Sequence, residues 1–146
     1  VLIEKNDIPI VAMDFMNSVH FEDVEIINSL FELILRCENV FSDENILAID
    51  EAFTQWIVHT KEHFRGEEIK MEEMRFAPYP FHKMEHDNAL GLMDEIFKEW
   101  RQSRDIMVLK VYFIEELPQW FTQHIAGMDT VTAMFFKIGI SPCSMR

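Results

Sequence analysis

The sequence predicts an all-α fold: an up-down-up-down four-helix bundle behind an N-terminal arm. Three observations carry that expectation. Apolar residues recur at three- and four-residue steps along four long stretches, the period of a helix with one buried face. Alternation with period two is almost absent, so half-buried strands are not expected. The breaks between stretches are short, so each helix should fold back on the one before it. The 146 residues are 49% hydrophobic with 4 Gly and 5 Pro, which suits one domain over 1–146 with a real core and argues against low-complexity disorder.

Residues 1–15 hold Pro9 and no sustained period, so they read as the arm. The first helix, about 17–40, follows from Met16, His20, Val24, Ile27, Phe31 and Ile34 on one stripe. Ser42 then offers an N-cap, with Asp43 and Glu44 in the first turn, where the helix dipole favours negative charge. The second helix, about 43–74, turns Ile49, Phe53, Trp56, Thr60, His63, Glu67 and Met71 inward. Pro78 and Pro80 interrupt it by removing backbone donors and restricting the residues before them. The third, about 80–103, carries His82, His86, Ala89, Met93, Ile96 and Trp100 on one stripe. The fourth, about 106–137, carries Phe113, Leu117, Trp120, His124 and Thr132. Pro118 inside it either kinks the helix or starts a second segment, and Gly139 and Pro142 mark the end.

Charge and cysteine usage exclude several function classes. A net charge of −13 argues against nucleic acid and anionic membranes as partners. No apolar run is long enough to span a bilayer, and the N-terminus lacks a basic-then-apolar signal pattern. Cys37 and Cys143 have no CxxC spacing and read as structural thiols of a cytoplasmic protein.

The unusual residues lie at matching levels of that bundle. His20 is in the first turn of helix one, and His63 and Glu67 are near the end of helix two. His82 and His86 open helix three, while His124 and Asp129 fall late in helix four. Up-down topology brings these places to one end, so five of the six histidines converge with two carboxylates. One inward histidine is more often a packed core residue than a ligand, and His59, one turn before His63, is read that way. Five at a common level are different, because each buried neutral imidazole needs a partner and charged ones repel. A metal satisfies all of them. Seven donors exceed what one tetrahedral zinc uses, whereas two nearly octahedral ions sharing bridging carboxylates fit the count. The donor set is compatible with iron, manganese, copper or zinc and favours iron. The Glu-x-x-His pairs of ferritin-like di-iron enzymes are missing. Asp129 is geometrically awkward, because five residues along an α-helix place it about 140° round from His124; Gly127 between them leaves room for a local distortion, and a bridging carboxylate can also reach in from the side.

"MDFMNSVH", "HFRGEE" followed by Met71, "HKMEH" and "HIAGMD" together resemble the hemerythrin family in its bacterial single-domain form, over most of the chain from His20 to Asp129. The resemblance implies a non-haem di-iron site that binds O2 reversibly. It assigns His82, His86 and His124 to one iron, His20 and His63 to the other, and Glu67 and Asp129 to bridges alongside a solvent-derived oxygen. The pattern departs from typical members in a longer link between the first two ligands, in His59 where a tyrosine is common, in "FA" at 76–77, and in Pro118.

Around the site, Met16, Phe64, Trp120 and Ile125 are expected to wall an apolar pocket that admits O2 and excludes water and larger molecules. No nucleophile–His–acid order or phosphate loop is present. The expected function is therefore O2 binding for storage, delivery or sensing, without enzyme activity. Sensing normally needs an output domain, and none is expected here. The alternatives are a di-iron enzyme reducing O2, peroxide or nitric oxide, and a metal-stapled bundle without gas chemistry. Docking to an O2-consuming protein, guided by the acidic surface, is a further expectation.

Overall fold

A computed structural model describes residues 1–138; Gly139, Pro142 and Cys143, which figured in the reading above, lie outside the described residues. Among the described residues four long helical runs follow one another and no strand occurs: α1 (Asp14–Asn39), α2 (Asp43–Glu73), α3 (Tyr79–Ser103) and α4, continuous over 106–138. Helix α1 packs on α2, α2 on α3, α3 on α4, and α4 back on α1, the ring expected of an up-down bundle. The Ser42 side chain accepts a hydrogen bond from the Asn45 N–H and caps α2 as expected.

The inward stripes follow the period of three and four with small shifts. On α1 the buried set is Met16, His20, Asp23, Val24, Ile27, Leu30, Ile34 and Cys37, so Leu30 takes the inward place expected of Phe31, which is half-buried. Helix α1 also begins at Asp14, three residues before its expected start at about 17. The arm ahead of it buries Ile3, Ile8 and Val11. Two asparagines fasten the arm: Asn28 exchanges both of its amide bonds with the backbone of Ile3, and Asn17 does the same with Val11, all at 2.9 Å.

The end of the bundle away from the histidines is an aromatic core. Phe53 stacks on Phe97 with centroids 4.5 Å apart, and Trp56 and Phe113 pack edge-on or tilted beside it. Side chains of this size contribute about 1.5–3 kcal/mol each on burial. Arg104 closes α3 at φ 52°, in the left-handed region. Its guanidinium donates to both oxygens of Asp50 at 2.7 and 2.9 Å, and Trp100 Nε1–H donates to the same carboxylate at 2.9 Å.

Helix α4 is not uniform. Regular segments Ile106–Val111, Leu117–His124 and Thr130–Ile138 alternate with π turns at Tyr112–Glu116 and Ile125–Asp129. In these turns the N–H of Leu117 reaches back five residues to Tyr112 O, and that of Thr130 reaches back five to Ile125 O. The run passes through Pro118, which stands near the start of the segment from Leu117. The wider turn before it gives room to a ring that would otherwise press on the carbonyl four residues back.

Candidate metal centre

The seven residues singled out in the sequence meet at one end of the bundle. His20, Glu67, His82, His86, His124 and Asp129 are buried, and the His63 side chain is 6% exposed. Two groups of donor atoms form, each group lying within 4.8 Å: Glu67 with His82, His86, His124 and Asp129, and Glu67 with His20 and His63.

The second π turn is what brings Asp129 in. A π turn closes on five residues rather than four, so Asp129 takes the place on the His124 face that an i+4 residue holds in an α-helix. Of the two routes open to Asp129, the local distortion near Gly127 is the one found, as one extra residue in the helix.

The two carboxylates each face both groups. Glu67 sets one oxygen 2.6 Å from His63 Nε2 and the other 3.5 and 3.7 Å from the Nε2 atoms of His86 and His82. Asp129 sets one oxygen 2.9 Å from His20 Nε2 and the other 3.0 and 3.2 Å from those of His82 and His124. The Oε1 of Glu67 and Oδ1 of Asp129 are buried with no hydrogen-bond partner.

Around this inner set stands a ring of oxygens that the sequence did not reveal as such. His86 Nδ1–H donates to Glu68 at 2.9 Å, His82 Nδ1–H to Thr132 Oγ1 at 2.8 Å, and His124 Nδ1–H to Glu85 at 2.5 Å. Each link joins two helices. With those Nδ1 atoms used as donors, neutral rings would turn three Nε2 lone pairs toward one another, 3.2 and 3.3 Å from His124 to its two neighbours. Lone pairs at that separation repel unless a cation sits among them. Adjacent nitrogens around an octahedral ion at about 2.1 Å stand about 3.0 Å apart, so the spacing fits.

Electrostatics point the same way. Burial, reinforced by the His82 and His124 rings, pushes His86 down to about 2, so it is neutral. Burial opposes charge on His124 too, but Asp129 and Glu85 outweigh it and lift it to about 9. Burial and the charge of Asp129 raise Glu67, while the surrounding histidines hold Asp129 well below the usual carboxylate range against its burial. A positive charge is favoured at the centre of the cluster.

Two residues complete the picture. Asp23, one turn along α1 from His20, is buried, with its oxygens 2.8 Å from His63 Nδ1 and 2.9 Å from His59 Nε2. Both contacts are at ion-pair distance but off the line of a hydrogen bond. His59 therefore lies outside the cluster and meets the neighbouring helix, as expected. Asp23 was legible only in its position three residues after His20. Glu68 and Glu85 left no signal beyond adjacency to Glu67 and His86.

Beside the cluster lies a cavity of about 250 Å³. Its wall includes Phe64, Trp120 and Ile125, as expected, but not Met16, which is fully buried elsewhere in the core. Phe64 stacks on His86 at 3.8 Å and Trp120 on His124 at 4.7 Å. Of the cluster the cavity touches His20, His63, His124 and Asp129, and not His82 or His86.

Residues 16–135 match the family model described as Hemerythrin HHE cation binding domain. Proteins named bacteriohemerythrin are similar to the chain. That of Aquifex aeolicus (strain VF5) is 28% identical over 132 residues, covering 90% of this chain and 95% of that protein. That of Ralstonia nicotianae is 36% identical over 91 residues, covering 62% and 65%, and that of Methylococcus capsulatus is 23% identical over 119 residues, covering 81% and 88%. No solved structure matches the chain.

Proposed function

Because the chain belongs to the hemerythrin family, we propose that it binds O2 reversibly at a non-haem di-iron centre, for storage, delivery or sensing. In this reading His82, His86 and His124 would hold one iron and His20 and His63 the other, with Glu67 and Asp129 shared between them. The observation that carries it is the pair of buried carboxylates, each with one oxygen toward the three-histidine group and one toward the two-histidine group. When bound, two ferrous ions supply the two electrons that O2 binding draws on.

The chain supplies the rest. The cavity reaches His20 and His63 as well as His124 and Asp129, and the ion that His20 and His63 would hold has fewer protein donors and would leave room for an incoming molecule. Phe64, Trp120, Phe121 and Ile125 keep that approach apolar, which makes escape of a charged reduced species costly. The polar groups along the wall are engaged or distant. Thr60 Oγ1–H donates to the Trp56 carbonyl at 2.8 Å, Asp23 sits between His59 and His63, and Glu116 stands exposed at the mouth. Proton donors near that end are few, and this favours returning O2 over cleaving it. The reading is of a binding protein, not an enzyme. It is set in the cytoplasm, where a free thiol such as buried Cys37 persists, and a net charge of −13 suits delivery to a basic, O2-consuming partner.

The test is an absorption titration of the anaerobic ferrous protein. About one O2 per two irons should be taken up and released on deoxygenation. Irreversible oxidation on first exposure to air, or steady consumption of O2 with a reductant, would replace this reading with a di-iron oxidase.

A further inference from the structure

The cavity extends well beyond the level of the donor atoms. Ile27, Trp56, Met93 and Leu117 all line it, and each stands seven residues from a histidine of the cluster: His20, His63, His86 and His124 in turn. The helices run alternately up and down, so all four offsets lead the same way, two turns or about 10 Å down the bundle axis. One layer between is built partly from small side chains, Thr60 and Ala89, and leaves the space open. The first π turn, Tyr112–Glu116, contributes Tyr112 and Glu116 to the same wall.

A diatomic gas uses only the donor end of this space. An apolar cavity of about 150 Å³ already suffices for benzene or xenon, and this one has about 250 Å³. Its far layer is Ile, Trp, Met and Leu, and its mouth between α3 and α4 carries the exposed Asn88, Leu92 and Glu116. A carboxylate at the entrance and an apolar interior both select against anions.

We propose that the layer bounded by Ile27, Trp56, Met93 and Leu117 is a second ligand site, which takes a small neutral apolar molecule up to the size of a single aromatic ring. This site stands apart from the O2 reading, because it lies two turns from the donor atoms and its occupancy is measured without O2.

Benzene is the probe, with benzoate as its anionic counterpart, on the protein as isolated with its metal. Benzene should saturate, quench or shift tryptophan fluorescence, and raise Tm, while benzoate binds at least tenfold more weakly. Ala89→Leu, which fills the middle layer, should weaken benzene at least tenfold. Crystals of the unsubstituted protein under xenon should show the gas between Trp56 and Met93, which decides the matter if Ala89→Leu does not fold. The proposal falls if benzene does not saturate, if benzoate binds as well, if Ala89→Leu folds and binds benzene unchanged, or if xenon sits elsewhere.

Discussion

Deleting Ala126 should leave the protein folded and its metal in place, whereas inserting one alanine between Ala126 and Gly127 should empty the site. A π turn amounts to one extra residue in an α-helix. Ala126 and Gly127 are exposed, and a side chain added at Gly127 would meet nothing. Removing Ala126 turns the Thr130 N–H to Ile125 O bond, now spanning five residues, into an ordinary bond spanning four. Asp129 then stands four residues after the histidine, on the same face. Thr132, Ala133, Phe135 and Phe136 keep their buried register. Insertion has no such remedy. The helix must turn either Asp129 or everything after it by about 100°, which at a helix radius of about 5–6 Å moves a side chain about 8 Å. Metal ligands tolerate about 0.2 Å. Elemental analysis and a thermal melt followed by circular dichroism read both variants. The deletion should keep the metal content of the unsubstituted protein and nearly its Tm, and the insertion should lose most of the metal. In a regular α-helix the two changes would be equally damaging, so equal loss would refute the account.

Two further outcomes follow from particular contacts. His59→Tyr should leave metal content unchanged, since His59 touches Asp23 and not the cluster, whereas Asp23→Ala should weaken the ion beside His63 about 10–100-fold; metal titrations separate the two, and a metal loss in His59→Tyr would count against the ligand set. Burial raises Asp50, but the bonds from Arg104 and Trp100 outweigh it and hold its carboxyl below the ordinary value of 3.8. Its contribution to stability is therefore present above that value and lost as pH falls through the lowered one. Asp50→Asn should cost about 2 kcal/mol, allowing for partial exposure, or about 5 °C in Tm. The gap should close as acid protonates Asp50 in the parent protein, and a gap that persists unchanged to pH 2 would contradict the assignment.

The sequence disclosed what depends on period and left obscure what depends on exact register or on a second contact. His20, His63, His82, His86 and His124 were legible because up-down topology converts their positions into one level, whatever the loops between them. Asp129 was awkward because a helix read at 100° per residue turns it away from His124; the π turn at Ile125–Asp129 removes that difficulty. Pro118 was read as a kink or a restart, and the helix instead runs on through it, with the π turn before it taking up the ring. The oxygens on the outer nitrogens were hidden for another reason. Glu68 and Glu85 adjoin cluster residues on charged stretches, where a carboxylate ordinarily faces water, and only the approach of the neighbouring helix turns them onto His86 and His124. Asp23 lies three residues after His20 and drew no notice in the sequence, because a carboxylate is buried only when a partner waits on the next helix. Here two partners wait, and one of them is the very histidine that set its own stripe apart from a plain apolar seam. The same reasoning explains the cavity: Thr60 and Ala89 sat correctly on inward stripes, but their small size mattered only when both fell in one layer between the donors and the aromatic core.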